Sequence, residues 1–181
     1  MQIRKFLAAF FVAVFLMTEN CSAGEDILPE MYANPKNYIY IGSGGTGIPL
    51  FISKSSLDVQ EYAPPRYVIA IRCVIGSFQR KQENGVWRDD YHAHFGSTSR
   101  YLYDYNERKI YVEEKDTNNK LYWKYLDPQF ANSIPSDPRM HDIVSAEFAF
   151  YFAYNQSFFD KPASISLKRY IETGAGTFDN R

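Results

Sequence analysis

Cysteine is nearly missing from this chain. Its 181 residues hold two, Cys21 and Cys73, so no disulfide framework can staple the fold. Cys73, set among Ala70, Ile71, Val74 and Ile75, reads as a buried, inert thiol. Histidine is as sparse, with three residues, which leaves few places for imidazole-based metal or acid–base chemistry. Charge of one sign is missing too. The net charge is −1 and the basic residues form no stripe, which argues against nucleic acid or an anionic membrane surface as partner, since both need a concentrated positive field. No G-x-S-x-G elbow marks a nucleophilic serine. There is no internal repeat, no low-complexity tract and, outside residues 6–17, no long apolar run.

That single run sits in an informative place. Arg4 and Lys5 precede 12 unbroken apolar residues, too few to span a bilayer as a helix. Cys21, Ser22 and Ala23 then put small residues before Gly24. The pattern predicts a signal peptide over 1–23 and an exported protein, in periplasm, at the cell surface or in the medium. Bacterial export suits a chain without disulfides. A lipid anchor on Cys21 is disfavoured by Glu19 and Asn20 just upstream, where a lipoprotein signal carries small or apolar residues.

Beyond a flexible leader at 24–36, alternation and β-branched or aromatic content predict strands at 38–41, 48–53, 57–62, 66–77, 100–105, 109–114 and 121–126. The 66–77 segment is apolar on both faces and reads as central. Residues 81–85 read as a hairpin tip. A helix is predicted over 143–159, capped by Asp142, with Val144, Phe148, Tyr151, Phe152 and Phe159 on one face. Ala146, Ala149 and Ala153 line another side, small enough for a sheet to approach. A last strand is expected near 165–171, then a loose tail at 172–181. Strands followed by one helix predict an α+β domain over 37–171: an antiparallel sheet of about six strands against one long C-terminal helix.

Chemistry-bearing candidates are few. The run Gly42-Ser43-Gly44-Gly45-Thr46-Gly47 matches G-x-G-x-x-G, but strand-like residues follow where a phosphate-binding helix is needed, so it reads as a hairpin turn. On an extended segment Asp90, His92 and His94 point the same way, three ligand types for one metal ion. The competing reading is a polar edge with nothing bound. The pairs Asp89-Asp90 and Glu113-Glu114 point to opposite faces of a strand and make no acid–base couple. The richest signal is aromatic: 15 Tyr and 14 Phe. Tyr101, Tyr103 and Tyr105 share one strand face, with Tyr111 and Trp123 on neighbouring strands. Such a surface binds polymer or protein through flat amphipathic rings, closes a homodimer, or simply forms cross-strand pairs.

The stretches 100–105, 122–128 and 146–155 (Arg100-Tyr101-Leu102-Tyr103-Asp104-Tyr105, Tyr122-Trp123-Lys124-Tyr125-Leu126-Asp127-Pro128, and Ala146-Glu147-Phe148 through Asn155) resemble a group of small exported proteins of double-membraned bacteria. A looser likeness, carried by Leu50-Phe51-Ile52-Ser53-Lys54-Ser55-Ser56-Leu57, is to the surface-adhesin E domain. That likeness implies an antiparallel sheet on a helix, surface exposure and binding of host matrix proteins. It differs in having no acidic residue near Ser53. The expectation is an exported, non-enzymatic binding or envelope-associated domain without cofactor, with an unidentified protein or polymer, or a second copy of itself, as partner. The alternative is a small metal-dependent hydrolase built on Asp90, His92 and His94.

Overall fold

In the computed structural model, residues 25–43, 48–134 and 136–174 are described. The signal segment with Cys21, the glycines at 44–47 and the tail beyond 174 lie outside them. Six strands form one antiparallel sheet in which spatial order equals chain order: β1 (Tyr38–Ser43), β2 (Pro49–Ala63), β3 (Arg66–Glu83), β4 (Val86–Asp104), β5 (Lys109–Lys115) and β6 (Leu121–Leu126). With three helices, α1 (Leu28–Ala33), α2 (Pro138–Tyr154) and α3 (Ile165–Thr173), the architecture is α+β. No helix among the described residues is long and apolar enough to cross a membrane.

The segments read as separate strands at 48–53 and 57–62 are one strand, β2, whose register shifts between Ser53 and Asp58 and again between Val59 and Glu61. The β3–β4 hairpin is much longer than expected. It pairs from Arg66 opposite Asp104 out to Glu83 opposite Val86, and turns at Asn84-Gly85, both with positive φ (51° and 80°) as a tight two-residue hairpin loop demands. Because β2 ends its pairing with β3 near Ile75, residues 77–83 and 86–92 run on as a two-stranded arm. Asp90 and His92 lie on this arm, and His94 lies at its base, opposite Ile75.

Alternation gives the sheet two faces, and both are covered in part. Ile39, Ile41, Ile52, Ile69, Ile71, Tyr101, Tyr103 and Ile110 meet α2 through Ile143, Ala146, Ala149 and Phe150. The alanines let the backbones close up, so that the Tyr103 hydroxyl donates to the Ala146 carbonyl at 2.8 Å. Gly42 is needed beside this helix: its φ is +149°, and a Cβ there would lie 2.7 Å from the Met140 side chain. Tyr38, Phe51, Val74 and Ala93 point the other way and pack on Ile27 and Met31.

Four expectations are corrected. Of the leader expected at 24–36, residues 25–36 are ordered on the sheet: Ile27 and Met31 are buried, α1 occupies 28–33, and a 3-10 turn follows at Pro35–Asn37. The long helix begins earlier and ends earlier than 143–159. Asp137, not Asp142, caps it by accepting the Arg139 N–H, and Pro138 takes the first turn, where its missing N–H costs nothing. Asn155 ends it in the left-handed conformation, which puts Phe159 beyond the helix. Residues 165–171 are helix, not strand. Ser164 accepts the Leu167 N–H as an N-cap, and the Glu147 carboxylate, buried in α2, accepts N–H groups from Ala163 at 2.6 Å and Ser164 at 2.8 Å. The helical part is thus divided, not one long C-terminal rod.

Candidate functional site

A concave site forms where α1 lies over the sheet. Its position follows from Asp26. That carboxylate accepts the Leu28 N–H (3.1 Å), holding the start of α1, and the Ala93 N–H (2.9 Å), holding the free edge of β4. Its second oxygen is 2.8 Å from His92 Nδ1. Beside it the Ile27 N–H donates to the Ala93 carbonyl at 2.8 Å. The segment before α1 is therefore pinned to an edge that β5, which pairs only with residues 101–104, leaves open. The Tyr38 hydroxyl closes the other side by donating to Glu30 at 2.5 Å.

Between α1 and the sheet lies a cavity of about 480 Å³, bounded by Leu28, Met31, Pro35, Tyr38, Phe51 and Tyr91, with Gly76 and Ala93 as floor and Ser77 and His92 at its polar side. Gly76 admits Pro49 here, whose Cγ would meet a Cβ at 2.5 Å. The volume falls in the range of small-molecule sites, roughly 300–1,000 Å³.

His92, at the edge of the cavity, belongs to a chain of paired polar groups that runs away from it along the hairpin. His92 Nε2 is 3.2 Å from Asp90 Oδ2, so both ring nitrogens face carboxylates, and Lys81 also donates to Asp90 at 2.6 Å. The Ala93 N–H above all, then the His92 and Leu28 contacts, hold the Asp26 carboxyl down to about 2. The bond to Asp26, with the charge of Asp90 behind it, raises the His92 imidazole above its ordinary 6.5. Burial first, and Glu30 second, push the Tyr38 phenol up to about 12.

The strand brings Asp90, His92 and His94 to one side, as the alternation predicts. They do not converge on a common centre. The His92 and His94 rings stack at 6.3 Å and 13°, and the nitrogens of His92 are taken by Asp26 and Asp90. Among the described residues no group of three or more His, Cys, Asp or Glu side chains is placed to hold a metal ion.

The aromatic set divides. Tyr101 and Tyr103 are wholly buried against α2, and Tyr105 packs edge-on to Phe158, so these three belong to the core and offer no binding face. The physical reason is coverage: α2 lies on the side to which they point. Tyr111 and Trp123 belong to the opposite side, where Tyr111 meets Tyr125 at 5.9 Å and the Arg100 guanidinium lies 5.8 Å over Trp123 while pairing with Glu113. Cys73 is half-buried beside Ser99, and burial raises its thiol above the ordinary value.

The α1 side of the cavity, Leu28, Met31, Tyr32 and Pro35, was missed because it lies in the segment read as a flexible leader. A signal was present: an acidic residue two positions before Leu28-Pro29-Glu30 is a helix-start pattern. Comparison of the chain with protein-family models, curated protein sequences and solved structures finds no match in any of the three.

Proposed function

We propose that this chain is an exported, non-catalytic binding domain and that the cavity beneath α1 is its binding site. Export rests on residues 1–23, with their basic start, apolar run and small residues before Gly24. The observation that carries the binding reading is the 480 Å³ cavity, apolar on most sides and framed by a short helix that Asp26, Ile27 and Glu30 tie to the sheet. The likeness to the surface-adhesin E domain points to the same class of activity, attachment rather than turnover.

The reading is tested by titrating the exported domain with N-phenyl-1-naphthylamine, an uncharged dye that fluoresces in apolar sites. Saturable binding at one site is expected. Leu28→Trp, which enlarges a side chain of α1 that lines the cavity, should weaken it strongly, with circular dichroism showing the fold intact. Binding lost instead in Trp123→Ala would move the site to the open sheet face and overturn the assignment.

A further inference from the structure

We infer that two copies of this chain pair through the β4 edge of the arm, antiparallel about a two-fold axis at Asp89. Each copy then sets its Trp87 beside Tyr91 of the other, at the cavity. The arm itself asks for a partner. Past Ile75 the hairpin has no third strand, and a two-stranded ribbon is marginal in water. Glu83 and Val86 close its two-residue loop as a hydrogen-bonded pair, so Trp87, Asp89, Tyr91 and Ala93 turn their N–H and C=O groups away from β3. Ala93 bears out this phase, because its outward groups meet Asp26 and Ile27. Those of Trp87, Asp89 and Tyr91 have no partner among the described residues.

One register pairs all three residues without displacing Ile27 from Ala93: Asp89 opposite Asp89, and Trp87 opposite Tyr91 twice. The charges fit it. Charged side chains on an open edge ordinarily repel a copy, but here Arg88 falls opposite Asp90 on both sides of the axis. The two Asp89 carboxylates meet at the axis, and each already has its own Arg80 at 2.9 Å, so that row is neutral. Directly opposed residues share a face. Trp87 of the second copy therefore lies on the side of Tyr91 and Ala93, which line the cavity. Phe78, Tyr91 and Trp87 are 47%, 58% and 62% exposed, and pairing sets such rings in one row. Two other open edges do not match themselves. Around Arg80 the β3 side of the arm sets Lys81 opposite Gln79, and β6 has Lys124 with no acid between Leu121 and Leu126. The interface is isologous, and it extends one wall of the cavity.

Light scattering on the exported domain between ~1 and ~100 μM tests the pairing. The parent is expected to approach twice the monomer mass. Arg88→Asp sets a carboxylate opposite Asp90 and should raise the dissociation constant about tenfold or more. Arg88→Asp combined with Asp90→Arg should bring it back, with circular dichroism checking that both variants fold. In a Cys73→Ala background, Asp89→Cys should link two chains under mild oxidation, because the axis brings the substituted positions within disulfide reach. A parent that stays monomeric, or a dimer that Arg88→Asp leaves untouched, would overturn the inference. So would a charge exchange that restores nothing, or the absence of the linked dimer. The mass is read without dye, so failure of the pairing and failure of the cavity as a binding site are told apart.

Discussion

Asp142 shows what one carboxyl does when its neighbours bury it. It sits in the first half of α2, and burial foremost, with Glu114 adding to it against Lys124 and His141, pushes its carboxyl up to about 6. The folded chain then holds a proton there that an unfolded one sheds near the ordinary 3.8. The stability this proton confers is complete below that ordinary value and is lost as pH rises from about 4 through about 6. Asp142→Asn, neutral throughout, is expected to be more stable than the parent at pH 7 by on the order of 2 kcal/mol. It should also flatten the fall in urea midpoint between those pH values. A variant that melts lower than the parent at pH 7 would show instead that the carboxylate makes a favourable bond when ionised.

At the scale of elements, α1 is the informative piece. Six residues cannot hold a helix on their own; it persists because Ile27 and Met31 pack on the sheet and because Asp26 pins its start. Asp26→Asn removes the charge that His92 answers. Its imidazole, which Asp90 still faces, whose ring His94 stacks upon, and which Lys81 reaches only through Asp90, should then titrate closer to the ordinary 6.5. In the parent, the charged His92–Asp26 contact is complete below that ordinary value and is lost as pH rises through the raised one. Nuclear magnetic resonance titration of His92 reads the shift, and dye release from the cavity should quicken in the variant. An unchanged His92 titration would mean that Asp90, not Asp26, sets it.

The elements also show where sequence reasoning reaches and where it stops. Alternation finds part of each of the six strands and a hairpin tip within 81–85, because period-two patterning is imposed by the pleat itself, but it splits β2 in two and leaves the 86–99 stretch of β4 unread. It shows that Tyr101, Tyr103 and Tyr105 share a face, but not which face α2 will cover, and so their burial could not be read. It also misleads at 165–171. Ile165, Leu167 and Ile171 alternate like a strand, yet the Ser164 cap and the Glu147 carboxylate settle the segment as helix, with Leu167 buried and Ile165 exposed. The Glu147 contact joins residues far apart in the chain, and no local pattern announces it.

For the molecule as a whole, the described residues cohere through two apolar layers on one sheet. Exhaustive dialysis against a chelator is accordingly expected to leave the melting temperature and the solution mass unchanged. A fall in either would revive Asp90, His92 and His94 as metal ligands and with them the hydrolase reading.

Because each strand pairs with its successor, the sheet can assemble in the order in which the chain is made, every new strand finding its neighbour already in place. The segment before α1 is the exception. It comes first in the chain, yet its anchor at His92 and Ala93 lies 66 and 67 residues downstream. The earliest piece must therefore wait for the middle of the protein, and the cavity becomes whole only once β4 exists. Ligand binding would thus mark the arrival of β4 on the sheet, silent for any chain cut short before residue 93.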